Sequence, residues 1–141
     1  SKDAHQFLAQ NRPAFLGYQF GLAFGLAERS LSEVEKELGK RGILKEEWQH
    51  QVEQLDDIRH SLYQGLSEES YFVRNPRELF QLRIDIVDVV AQSLLLELQA
   101  GGGRGYFSNS TSGFIRRWNE GAFLPIVSPS AVQLRHILAT N

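Results

Sequence analysis

Glu47, His50, Glu53, Asp57 and His60 gather two imidazoles and three carboxylates into one short stretch. These side chains bind transition metals or carry protons. Glu47-x-x-His50 has the spacing seen on the helices of carboxylate-bridged di-iron proteins, where such residues project inward from several helices at once. Here they fall opposite Trp48 and Leu55 on a helical projection, so a solvated face with no metal is expected. Asp85 and Asp88, one turn apart, could act as an acid–base pair or hold a divalent cation. The simpler expectation is a hydrated stripe, or ion pairs with Arg116, Arg117 or Arg135.

Arg83 lies about opposite that stripe, among Leu79, Ile86, Val87, Val90 and Leu94. A guanidinium on an apolar face must snorkel, pair with a carboxylate, or meet a group from outside. A carboxylate on another helix is the expected partner. A partner chain's carboxylate or an acidic ligand is the alternative.

The stretch GGGRGYFSNSTSG, residues 101–113, offers backbone amides and Arg104 for an anion-binding nest, with Arg116 and Arg117 as further anion contacts. It lacks the Lys-Ser/Thr ending of a phosphate loop and the third glycine of a dinucleotide fingerprint. We therefore expect a flexible hinge in which Ser110, Thr111 and Ser112 are open to phosphorylation. No nucleophile, base and orienting group combine into a consistent set, so the sequence leans away from an enzyme and implies no cofactor.

Composition narrows the field further. The chain has 141 residues, enough for one domain with a single core, and no cysteine, which removes disulfides, thiolate nucleophiles and cysteine-held metals. With no methionine, Ser1 reads as a processed or excised start. Residues 1–100 hold 11 Lys/Arg against 16 Asp/Glu, a net −5, and residues 101–141 hold 4 Arg against 1 Glu, a net +3. A basic tail folding back on an acidic body is the expected use of that asymmetry. Four arginines in the tail are a thin footprint for nucleic acid, even with Tyr106, Phe107, Phe114 and Trp118 among them.

Helices must position all of these groups. Residues 4–10 read as a short helical turn, and Pro13 fits the first turn of a longer helix. In FLGYQFGLAFGLAER, residues 15–29, large apolar residues alternate while Gly17, Gly21 and Gly25 recur every fourth position. The first pattern suits a strand and the second a grooved helix. Val, Ile and Thr are absent between Ala14 and Leu31, so helix is preferred. Each interior glycine then costs about 1 kcal/mol relative to alanine, an expense that close approach by a second helix into the groove would offset. Leu16, Phe20 and Phe24 form one ridge beside it and Tyr18, Leu22 and Leu26 the next. A helix so apolar all round is expected at the centre of the fold or at a subunit interface. The fifteen residues from Pro13 to Ala27 span only about 22 Å, short of the ~30 Å needed to cross a bilayer.

Ser30-Leu31-Ser32-Glu33 has capping-box spacing and predicts a restart or bend, with the helix ending near Leu38 before a Gly39–Gly42 turn. A second helix runs from about Leu44 to Leu66. Leu44, Trp48, Val52, Leu55, Ile58, Leu62 and Leu66 form its apolar face, where Arg59 buries its stem and reaches outward. Asn75-Pro76-Arg77-Glu78 opens a third long helix that ends at Gly101-Gly102-Gly103. Gln81, Asp85, Asp88, Gln92 and Gln99 form its narrow polar stripe, which makes it a core strut. Ser112 is placed to cap a short helix near Phe114–Asn119, and Ser128-Pro129 to start another ending near Leu138.

The expected fold is all-α: a helical bundle of three long helices plus short C-terminal helices. It forms a single domain over residues 1–141, with the Gly/Ser loop at 101–113 ahead of a basic C-terminal helical segment. The expected function is a soluble, cytoplasmic, non-catalytic interaction or regulatory module that self-associates or receives a partner helix at Gly17, Gly21, Gly25, Phe20 and Phe24. The alternative is a sensor or enzyme binding a small apolar or acidic ligand in a pocket between the first and third long helices, lined by Tyr18, Phe20 and Phe24 and polarised by Arg83.

Overall fold

Pro13 opens helix α1 (Pro13–Glu37), where a fixed φ and a missing N–H cost nothing. The computed structural model describes residues 13–102, 113–126 and 130–140, with side chains described from Gln19 onward and not at 126. The short turn expected over 4–10 lies outside these residues, as do Ser112, Ser128 and Pro129. The described residues form six α-helices and two short 3₁₀ turns, and no strand occurs among them.

Contrary to the capping-box reading, α1 does not break at Ser30. Ser30 is buried and its hydroxyl serves another helix, at 2.9 Å from the Ser93 carbonyl oxygen and 2.8 Å from Glu97 Oε1. Glu33 bonds neighbours on its own helix, Arg29 at 2.9 Å and Lys36 at 3.0 Å. Helix α1 is also more one-sided than its composition implies. Phe20, Ala23, Phe24, Ala27, Leu31 and Val34 are buried, whereas Gly21, Leu22 and Gly25 face outward.

A turn and a 3₁₀ segment (Gly42–Leu44) lead to α2 (Lys45–Ser67). Leu55, Ile58 and Leu62 are buried on the expected face, and the Trp48 indole N–H donates to the Leu31 carbonyl at 2.9 Å, tying α2 to α1. The register slips at the end. Leu66 is 64% exposed and Gly65 is buried in its stead, beneath the ring of Phe72. Phe72 belongs to a one-turn helix not anticipated from the sequence, α3 (Tyr71–Arg74), reached through Ser70 with φ of 63°.

Helix α4 (Pro76–Gly101) starts and stops where its signals place it, with Asn75 at the N-cap, Pro76 first, and Gly102 closing it at φ 61°. The Asn75 side chain caps α3 instead, donating to the Tyr71 carbonyl at 3.0 Å. Fourteen of its 26 residues are buried, and α4 packs against every other helix. It, and not α1, is the centre of the fold. The reason is distribution: α4 spreads Phe80, Ile84, Ile86, Val87, Val89, Val90, Leu94 and Leu96 over most of its circumference.

Helix α5 (Phe114–Phe123), a 3₁₀ turn (Leu124–Ile126) and α6 (Ala131–Ala139) lie against α4. The cap of α6 is Ser130, two residues later than expected, in a reciprocal box with Gln133: Gln133 N–H donates to Ser130 Oγ at 3.1 Å and Ser130 N–H to Gln133 Oε1 at 2.8 Å. Arg77, in the first turn of α4, donates to the Ile137 and Leu138 carbonyls at the other end of α6. A cation there satisfies carbonyls that no helical amide reaches. No helix of the described residues is long and apolar enough to cross a membrane.

Candidate functional site

An apolar cleft of about 340 Å³ opens where α1, α2 and α3 meet. Phe20 and Phe24 of α1 and Leu62 of α2 form its floor, which the 3.6-residue spacing of both helices places there. Tyr63, Leu66 and Val73, at 59%, 64% and 56% exposed, stand along it facing water. Gly21 lies at its edge. Large apolar side chains scattered singly on a surface are ordinary, but three beside one concave apolar floor are not.

The rim is acidic. Glu68 and Glu69 line the cleft, and Glu68 accepts from Arg74 at 2.6 Å. On the α1 side, Arg59 pairs with Glu28 and holds its guanidinium 5.2 Å above the Phe24 ring, a cation–π contact that gives the expected half-buried arginine a specific seat. Tyr71 donates its hydroxyl to Glu78, and that bond holds the phenol proton more tightly than in an ordinary tyrosine. The Phe72 ring forms the back wall. Behind it, a second and more polar cleft of about 480 Å³ is lined by Ser61, Gln64 and Gln81 as well as by Gly65 and Phe72.

Two buried polar groups lie apart from the cleft. Arg83 is 1% exposed and has no carboxylate partner among the described residues, contrary to expectation. Its Nε donates to Gln19 Oε1 at 2.7 Å and its Nη2 to the Leu124 carbonyl at 2.9 Å. Leu124 is the C-cap of α5, so the partial negative charge of a helix C-terminus stands in for the missing carboxylate. Nη1 has no hydrogen-bond partner among the described residues, and burial lowers the guanidinium's affinity for its proton. The second group is Glu97, which accepts from Arg117 and touches Ser30 in the junction of α1, α4 and α5.

Most anticipated residues are dispersed. Phe20 and Phe24 are brought together, 6.0 Å apart between ring centroids. Gly21 and Gly25 are exposed, and a Cβ on either would meet nothing within 4 Å, so no helix of the described residues lies in their groove. Gly17 belongs to α1, but its surroundings lie outside the described residues, as does the Tyr18 side chain. Arg83 does not line the cleft. Arg104 is outside the described residues; Arg116 is exposed and paired with Glu120 at 3.0 Å, while Arg117 is buried against Glu97. Asp85 accepts from Gln81 at 2.9 Å and Asp88 lies 4.0 Å from Arg135. His50 is exposed in a shallow polar cleft with Glu46, Glu47, Gln92 and Gln99.

Tyr63, Gly65, Phe72 and Val73 are site residues that the sequence reading leaves out, and Leu66 enters it only as part of an apolar helix face. Their signal is the run YQGLSEESYFV, where apolar residues continue on both sides of a polar turn. No family model, no curated protein and no solved structure matches the chain.

Proposed function

We propose that the protein is a non-catalytic interaction module: a bundle of three long helices whose cleft at α1, α2 and α3 receives an amphipathic, basic helix of another protein. The observation that carries this reading is the open apolar floor with Tyr63, Leu66 and Val73 standing exposed along it. Helix-in-groove recognition uses such a floor for the i, i+3, i+4 and i+7 anchors of the incoming helix. Glu69, beside the Glu68–Arg74 pair on the rim, leaves the cleft edge net acidic and favours a basic one. Gly21, at the edge of the cleft, and Gly25, one turn further along α1, are uncovered by any described residue and let the incoming backbone come close. A second copy of this chain fits less well, because the arginines of its tail helices already face Glu97, Glu120 and Asp88.

Fluorescence anisotropy with synthetic amphipathic helices of one apolar face and basic, neutral or acidic flanks tests the proposal. The basic peptide is expected to bind, and Leu66→Glu to weaken it at least about ten-fold. Binding by none of the three peptides, or a concentration-dependent dimer in native mass spectrometry that Leu66→Glu dissolves, overturns it.

One observation favours a second reading. Nη1 of buried Arg83, without a hydrogen-bond partner among the described residues, is a donor that a small carboxylate would satisfy. Acetate or benzoate raising the thermal midpoint of the wild type but not of Arg83→Leu supports that reading, and equal responses exclude it.

A further inference from the structure

Three buried oxygens, one from each of three residues, lie in a row at the junction of α1, α4 and α5. Ser30 Oγ is 2.9 Å from the Ser93 carbonyl oxygen and 2.8 Å from Glu97 Oε1. Both are hydrogen-bond distances, yet the serine hydroxyl has a single hydrogen to donate. The Ser93 carbonyl can only accept. If Glu97 were ionised, two contacts would share one hydrogen, and one of them would press two lone pairs together where no solvent relieves them. If the carboxyl carries a proton, the count closes: the acid donates to Ser30 Oγ, and Ser30 donates to the Ser93 carbonyl.

We infer that Glu97 is held as the neutral acid and donates its proton to Ser30 Oγ, making the α1–α4–α5 junction a proton-held clasp that loosens as the pH rises. The other carboxyl oxygen, Oε2, accepts from Arg117 Nη2 in either state, so α5 stays tethered. Among the described residues, the charges that act on Glu97 are Arg117 of α5 and Glu33 of α1. Glu33 supplies the negative charge that faces Arg117: burial pushes its carboxyl up, but Lys36, Arg29 and Arg117 outweigh that and hold it ionised. Ser93 Oγ, beside the clasp on α4, is buried without a hydrogen-bond partner among the described residues.

Burial of Glu97 opposes its ionisation more strongly than the Arg117 guanidinium promotes it, so its proton is held above the ordinary glutamate range. A group whose folded-state pKa is raised contributes stability that is complete below the unfolded value and lost as pH climbs through the folded value. A salt-bridged carboxylate does the reverse and loses its contribution on acidification.

Carbon-13 NMR titration of the glutamate carboxyls in the full chain, with Glu97→Gln to assign the signal, tests the clasp directly. Glu97 is expected to titrate above the other glutamates. Glutamine reproduces the neutral acid, with an N–H toward Ser30 and a carbonyl toward Arg117. At about pH 5 the Glu97→Gln unfolding constant should therefore stay within about five-fold of wild type, and its decline at higher pH should flatten. A Glu97 carboxyl that titrates below the ordinary glutamate range overturns the inference, whether or not Glu97→Gln folds. So does a wild-type stability that falls on acidification through a step that Glu97→Gln removes.

Discussion

The ring of Phe72 rests on the bare Cα of Gly65, so closely that a Cβ built at residue 65 would stand 2.3 Å from its Cζ. That contact holds α3 to the end of α2 and sets the back wall of the apolar cleft. Gly65→Ala is expected to cost about 1–3 kcal/mol, because the ring and not a flexible chain end must move. Phe72→Leu in the same chain should recover part of the loss. Urea unfolding of the two single variants and the double variant measures the coupling, and an additive cycle would count against the contact.

Gly21 and Gly25 predict the opposite sign. Both are in the interior of α1 with nothing within 4 Å of an added Cβ. Alanine at either position should raise stability by about 0.5–1 kcal/mol, through helix propensity alone. Thermal unfolding of the free protein reads this, and a loss of stability would mean that something already lies on that face.

The exposed residues of the cleft should separate binding from folding. Leu66→Glu and Val73→Glu are expected to leave the unfolding free energy within about 0.5 kcal/mol of wild type. The same variants are expected to weaken the basic helical peptide. A large stability loss would assign these side chains to the core instead.

Removing Gln19 leaves a buried guanidinium short of an acceptor at Nε. Gln19→Leu should cost about 1–3 kcal/mol, the penalty of an unsatisfied buried donor. Arg83→Met added to Gln19→Leu should cost less than the sum of the two single changes, since it removes the stranded charge.

Helix α6 is fastened at both ends, by Ser130 and by Arg77. Ser130→Ala and Arg77→Ala should each cost about 0.5–2 kcal/mol. Amide hydrogen exchange should accelerate through residues 131–140 while the protection of α2 is unchanged. Equal acceleration in both helices would show that α6 does not open by itself.

Local signals were readable wherever the chain's own neighbours determine the outcome. The face carrying Leu55, Ile58 and Leu62, the Asn75-Pro76 opening of α4 and its stop at Gly102 all follow from spacing within a few residues. Ser30 sits in a local pattern too, but its hydroxyl is claimed by residues 63 and 67 positions away, which no short window contains. The glycines make the same point. The conspicuous Gly21 and Gly25 are open, while two inconspicuous ones are closely approached: Gly65 by Phe72, and Gly121, where a Cβ would stand 2.4 Å from Leu94 Cδ1. Spacing identifies a line of glycines without saying which way it faces. Half of the cleft was legible for the same reason. Phe20 and Phe24 follow from the pattern of α1, whereas Phe72 and Val73 depend on a turn at Ser70 that carries the chain back across α2. For Arg83 burial was legible from its apolar neighbours, but not that its acceptors would be an amide and a helix end.

The central place of α4 has a kinetic consequence. The bonds that fasten α1 and α6 to it join residues 64, 67 and 60 positions apart, for Arg83 with Gln19, Glu97 with Ser30 and Arg77 with Ile137. Isolated helices of this length form and melt in about a microsecond, whereas contacts of such separation wait for long loops to close. Topology thus makes the docking of two flanks onto one middle helix the non-local part of folding, where the entropy of closing long loops must be met.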